Sequence, residues 1–181
     1  MTIICALHEP GVGTWIGSDT ASIRSGIRCT DRGPKWTVVG SRAMGAAGSH
    51  LIASVIEAHA DELLTGDQTP FDLARRLRKL LMSDYEYSAK GDPGEAPVLQ
   101  AWVIYATETG VWHFTTDGGV YVVGAGRLCA DGSGERVAYG ADHAMRKFCG
   151  ETRICCALRA AIALDDGCSG EPWMLLLPAS A

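Results

Sequence analysis

Apolar positions along the chain follow two periods, and the switches between them mark out the elements. Ile3 to Leu7 is a continuous apolar run, and Thr14 to Gly17 is a second short unit just before Ser18-Asp19. Arg24 to Thr30, Lys35 to Val39 and Ala43 to Ala47 continue in short units divided by Gly, Pro or charged turns, which predicts strands. Between Gly48 and Leu64 the period changes. Leu51, Ile52, Val55, Ile56, His59 and Leu63 recur at three-to-four spacing, as in an amphipathic helix. Thr69-Pro70-Phe71-Asp72 then supplies an N-cap, a Pro in the first turn and an early acid, opening a second helix through Met82. Its expected buried stripe is Leu73, Leu77, Leu80 and Leu81.

Tyr87 to Pro97 is rich in Gly, Pro and charge and reads as a loop. Val98 to Thr107, Val111 to Thr115 and Gly119 to Val123 follow as strands. After Asp131-Gly132-Ser133-Gly134 the helical period returns at Val137, Ala138, Ala141, Met145 and Phe148. Thr152 to Leu164 is another helix, and Trp173 to Leu177 closes the chain as a strand. The order is strands, two helices, strands, two helices, strand: an α+β chain. A four-layer α-β-β-α sandwich, two antiparallel sheets between two helix layers, is one arrangement that covers both sheet faces, and the pattern alone permits others. The later strands are too few to form a unit of their own, so residues 1–181 read as one domain.

Composition narrows the function classes. Lys plus Arg number 16 against 21 Asp plus Glu, a net charge of -5, which argues against nucleic-acid or membrane-surface binding by general electrostatics. No apolar run approaches the roughly 18 residues of a membrane span. Met1-Thr2-Ile3-Ile4-Cys5 lacks the basic and apolar regions of a signal peptide, so a cytoplasmic location is expected. The cysteines Cys5, Cys29, Cys129, Cys149, Cys155, Cys156 and Cys168 form no C-x-x-C pair, and the histidines show no ligand spacing. Buried thiols acting as small hydrophobes are expected, rather than a metal site.

Candidate chemistry begins at Thr2. Initiator methionine is normally removed before a small residue, which would leave a hydroxyl and a free α-amine on one residue. An α-amine with a pKa of about 7.7–8.0 can accept the hydroxyl proton near neutrality. A Met-Thr start is by itself also a plain N-terminus. Asp19 closes the second strand, and Lys35 follows at the start of another. An ammonium near a hydroxyl favours loss of its proton, and a buried carboxylate keeps that ammonium charged and aimed. Taken alone, an Asp and a Lys this far apart are more often solvated surface charges. Met44-Gly45-Ala46-Ala47-Gly48-Ser49 ends a strand and opens a helix, where unpaired N–H groups can face an oxyanion or merely make a tight turn. Asp131-Gly132-Ser133-Gly134 and Asp166-Gly167-Cys168-Ser169-Gly170 present the same choice.

Together these segments resemble the proteasome β-type, HslV-like family of N-terminal-nucleophile hydrolases, and specifically its bacterial members. The likeness runs through Thr2-Ile3-Ile4-Cys5-Ala6-Leu7, Ser18-Asp19, Pro34-Lys35-Trp36 and Gly45-Ala46-Ala47-Gly48. It continues in Gly132-Ser133-Gly134 followed by Ala138-Tyr139-Gly140, and in Asp166-Gly167-Cys168-Ser169-Gly170. The chain departs from the family in a first hairpin one residue longer and in Ala21, where Arg is common. The resemblance implies the α-β-β-α sandwich and a threonine peptidase with Thr2 as nucleophile. Asp19 and Lys35 would be its electrostatic partners, Gly48 the oxyanion donor, and Ser133, Asp166 and Ser169 the support around the α-amine. It implies no metal or cofactor. Peptide or unfolded-protein substrates would add as a strand beside Ser22-Ile23 and Gly45 to Gly48, with a first pocket near Ala46, His50 and Ser22 suited to a large apolar side chain. It further implies a homo-oligomeric ring or spiral, with an ATP-dependent unfoldase as a possible partner. A catalytically silent assembly subunit and an amidase acting on small amides are the alternatives.

Overall fold

The computed structural model describes residues 2–24, 27–29, 33–83, 85 and 101–180. Its first half contains β1 (Ile3–Glu9), β2 (Gly13–Asp19), β3 (Ser22–Arg24), β4 (Ile27–Cys29), β5 (Trp36–Val39) and β6 (Arg42–Gly48). The helices α1 (His50–Ala58), α2 (Ala60–Leu64) and α3 (Pro70–Ser83) come next. The second half contains β7 (Ala101–Thr107), β8 (Gly110–Phe114), β9 (Val120–Val123), β10 (Leu128–Gly132), α4 (Glu135–Ala144), α5 (Gly150–Leu164) and β11 (Pro172–Pro178). The loop expected at Tyr87 to Pro97 and the first residues of the strand expected from Val98 lie outside the described residues.

The strands form two main antiparallel sheets, ordered β10-β1-β2-β11 and β5-β6-β7-β8-β9, plus the small β3-β4 ribbon. Alternation along β1 explains the layering. Ile3, Cys5 and Leu7 point outward to Ala138 of α4 and to Ile154, Ala157, Leu158 and Ala161 of α5. Ile4 and Ala6 point inward, joining Ile16, Ala43, Ala47, Ile104, Val111 and Leu177 between the sheets. A strand buried on both faces reads as an unbroken apolar run, which is why Ile3 to Leu7 shows no polar alternation. On the far side, Met44, Val103, Tyr105 and Phe114 pack against Ile52, Val55 and Ile56 of α1 and Leu73, Leu77 and Leu81 of α3. The result is an α-β-β-α sandwich. Of the expected stripe on α3, Leu80 is only partly buried.

Two elements differ from expectation. The helix expected between Gly48 and Leu64 is interrupted at His59, whose backbone (φ -111, ψ 24) separates α1 from α2. The break carries both Leu63 and Leu64 into the core. β10 has no clear strand signal, because Ala, Asp and Gly are depleted in strands. It becomes a strand by pairing with β1 in the register Ile3↔Gly132 to Leu7↔Leu128. The thiols of Cys5, Cys129 and Cys168 are buried, whereas Cys149 is exposed at the N-cap of α5 and Cys155 and Cys156 are half-buried. Among the described residues no helix is long and apolar enough to cross a membrane.

One polar contact fixes the two sheets where the site will lie. The indole N–H of Trp36 on β5 donates to the Gly17 carbonyl on β2 at 2.9 Å. Trp36 lies opposite Gly45 in the β5-β6 register, and a Cβ at Gly45 would meet its ring at 2.8 Å. The absent side chain therefore makes room for the ring. Trp36→Phe removes this buried donor and should lower stability by about 1 kcal/mol, a fall in Tm of about 2–4 °C for a chain of this size. Thermal unfolding followed by circular dichroism checks this, and an unchanged Tm would show that the bond carries no weight.

Candidate active site

β1 begins one residue after Thr2, and its partner β2 ends at Asp19, so the antiparallel pair brings the head of one strand to the foot of the other. Asp19 is fully buried. Its Oδ1 accepts the Thr2 hydroxyl at 2.7 Å and the Ile3 N–H at 3.0 Å. Lys35 Nζ bonds the same oxygen, and Oδ2 accepts the Ser169 N–H at 3.2 Å. A carboxylate that has lost its water is thus met by four donors, as burial of a charge requires. Lys35 arrives from the other sheet. Its backbone N–H donates to Ser18 Oγ at 3.1 Å, and the next residue is the Trp36 anchor.

The Lys35 side chain is only 16% exposed. Burial pulls its ammonium below the usual lysine range, against the opposing attraction of Asp19 and its hydrogen bond. Because ammonium and hydroxyl share one carboxylate oxygen, they stand within a few ångströms of each other. Removing a proton from the Thr2 hydroxyl is favoured by the positive charge beside it.

A cleft of about 390 Å³ opens beside Thr2. Lys35, Ala46, Gly48 and His50 line it, so the expected nucleophile, cation, oxyanion donor and pocket residues meet in one cavity. Gly48 has φ 113, a conformation that glycine adopts readily, as β6 turns through Ser49 into α1. Ser22 and Ile23 form β3 with Arg24, and their side chains lie outside what is described; Ala21 lines the cleft instead.

On the other side of Thr2, its carbonyl accepts the Gly134 N–H at 3.4 Å, and Ser133 Oγ lies at the same distance from it. Gly132 has φ 109, and a Cβ there would sit 2.1 Å from the Thr2 carbonyl oxygen, so no side chain fits. Ser133 donates to Asp165 Oδ1 at 2.7 Å. The expected carboxylate in this support, Asp166, lies exposed in the same turn. Its neighbour Asp165 also takes part, with the Gly167 N–H folding back onto its Oδ1 at 2.9 Å. Partial burial would raise the Asp165 pKa, but hydrogen bonds from Ser133, Cys168 and the backbone hold it below the ordinary aspartate value. Cys168 Sγ lies 3.9 Å from Ser133 Oγ, and burial pushes its thiol up to about 12, so it stays protonated. Among the described residues no group of three or more His, Cys, Asp or Glu is placed to hold a metal ion.

Sequence reasoning missed Asp165 and the anchoring role of Trp36. Asp165 stands directly before Asp166, and its bond to Ser133 depends on the turn they share. Trp36 directly after Lys35 was the available signal for the anchor, since an indole N–H in an apolar strand needs an acceptor.

The fold, an α-β-β-α sandwich, is of the proteasome β-type, HslV-like kind. Among solved structures, the chain is similar to Thiobacillus denitrificans BPH in complex with epoxomicin, with TM-score 0.80, 18% identity and coverage of 99% of this chain and 100% of that one. It is similar also to the same organism's BPH alone, with TM-score 0.79, 18% identity and 98% of each chain covered. Eukaryotic HslV from Trypanosoma brucei aligns with TM-score 0.69 and 18% identity over 96% of this chain and 97% of that one. At this identity the likeness is one of fold. No family model and no curated protein sequence matches the chain.

Gly132→Ala tests how the head of β1 is held. The new methyl must displace the Thr2 carbonyl, and unfolding by urea should register a loss of at least about 2 kcal/mol. Gly140→Ala, where a Cβ meets nothing within 4 Å, is the control. Equal stability of the two variants would contradict the tight approach at Thr2.

Proposed function

We propose that the chain is a threonine-type peptidase in which cleavage of the Met1–Thr2 bond frees the Thr2 α-amine. The observation that carries this reading is the single Asp19 oxygen shared by the Thr2 hydroxyl and the Lys35 ammonium. A second observation supports it. Ser169 Oγ is buried and has no hydrogen-bond partner among the described residues, while its own N–H holds Asp19. An α-amine on Thr2, next to the Ile3 N–H that binds the same carboxylate, would supply that hydroxyl with a partner.

In the proposed reaction Thr2 Oγ adds to the scissile carbonyl, and its proton passes to the α-amine directly or through a water. The Gly48 N–H holds the oxyanion, and Lys35 lowers the pKa of the attacking hydroxyl. Collapse returns the proton to the leaving amine and breaks the peptide C–N bond. Water then adds to the resulting ester and releases the acid and the Thr2 hydroxyl. Every proton is carried by groups of this chain, the substrate or water, so the proposed reaction uses no metal or cofactor. We place the enzyme in the cytoplasm, in a homo-oligomeric ring or spiral that degrades peptides or unfolded proteins delivered by an unfoldase. The exposed Tyr121 and Val122 on β9, at the end of the five-stranded sheet, support such assembly.

Turnover of fluorogenic peptides tests the chemistry. Lys35→Ala should lose about 10²–10³-fold in kcat while keeping its native circular-dichroism spectrum, and Thr2→Ala should be inactive. A Lys35→Ala variant with wild-type turnover would rule out the assigned role. The pH profile gives a further check. The rate should rise with pH as the α-amine becomes neutral, through about 7.7–8.0. It should fall again as Lys35 loses its proton, below the ordinary lysine value of 10.5. A rate still rising at pH 10.5 would contradict a requirement for the ammonium.

A further inference from the structure

The cleft beside Thr2 has a length and a direction. β6 runs from Met44 through Ala46 to Gly48, and these alternate residues share the face that lines the cleft. The chain turns at Ser49, and α1 packs back over that face, with Ile56 in the same core cluster as Met44. His50, Ala53, Ser54 and Glu57 recur at i, i+3, i+4 and i+7 on α1, and all four line the cavity. From His50 to Glu57 is about 10 Å at the helical rise, and from Gly48 to Met44 is about 13 Å along the strand. Thr37, opposite Met44 on β5, also lines the cleft.

The chemistry changes along this length. Ala46, Ala53, Met44 and Ile56 make an apolar middle. Its charged lining residues are Lys35, beside Thr2, and Glu57, at the remote end. Lys35 is bound to Asp19. Glu57 has no ion pair among the described residues, so its carboxylate is the uncompensated charge of the cavity. The sequence had suggested a pocket for a large apolar side chain. Such a side chain would fill the middle but bring a desolvated methyl group against Glu57.

We infer that this cleft takes a long side chain with a cationic end, lysine or arginine, on the substrate residue that precedes the scissile bond, with its stem along Met44, Ala46 and Ala53 and its charge at Glu57. Lysine has a four-carbon stem and a compact charge, and arginine a planar fork that suits a carboxylate. The inference rests on the proposed threonine chemistry, which puts the scissile carbonyl at Thr2.

The test compares fluorogenic peptides that differ only at that residue: lysine, arginine and norleucine, the last having the lysine stem without the charge. The lysine-to-norleucine ratio of kcat/KM should be about tenfold or more in low salt and shrink as salt screens the exposed carboxylate. Glu57→Gln should bring the ratio to about twofold or less, and Glu57→Lys should invert it. Asp61→Asn, an exposed acid on α2 outside the cleft, should leave it unchanged. The same peptides, used as competitors of a peptide epoxyketone labelling reaction, give the ranking without relying on turnover. Covalent labelling with a ranking that Glu57→Gln does not move would overturn this inference and leave the threonine chemistry standing. Absence of both turnover and labelling in the wild-type protein would overturn the threonine chemistry and this inference with it.

Discussion

The site depends on one carboxylate placed where water cannot reach it. Asp19 brings together groups from β1, from the segment before β5 and from the turn before β11, because each supplies a donor that it needs. A buried carboxylate missing one of these donors would be left undersolvated. The same requirement that keeps the charge stable also fixes Lys35 beside the Thr2 hydroxyl. In the proposed reaction the bonds that stabilise the site are also those that would make it reactive.

The layers around it explain why this geometry holds without local rigidity of its own. Thr2 is gripped through its carbonyl from the β10 side and through its hydroxyl from the β2 side. Lys35 is placed by the residues flanking it, with Ser18 receiving its N–H and Trp36 tied to Gly17. Both anchors belong to β2, the strand that ends in Asp19. The cation is thus referred to the same strand as the carboxylate, although it comes from the opposite sheet.

Much of this was legible in the chain because strand ends and helix periods are local. Ile3 to Leu7 reads as a strand buried on both faces, and Thr69 to Asp72 reads as a helix start, which α3 follows. The joining of Thr2, Asp19 and Lys35 was legible only through resemblance, since sixteen residues of spacing between an acid and a lysine imply no contact. What the sequence hid depends on tertiary partners. β10 is a strand by virtue of β1, and the break at His59 serves two adjacent leucines that one helical stripe could not bury. The bond from Ser133 to Asp165 belongs to a turn in which the Gly167 N–H folds back, which the sequence does not show. Nothing in the sequence marks Glu57; it lines the cleft because α1 folds back over β6.

The central claim is that one residue carries both the attacking oxygen and the amine that receives its proton. Tandem mass spectrometry of the N-terminal peptide after treatment with a peptide epoxyketone tests it most directly, because such a probe bridges a hydroxyl and an adjacent amine. The account requires the whole added mass on a peptide that begins at Thr2, and none on Lys35 or the cysteines. An unmodified peptide still carrying Met1, from protein that nonetheless hydrolyses peptides, would contradict it.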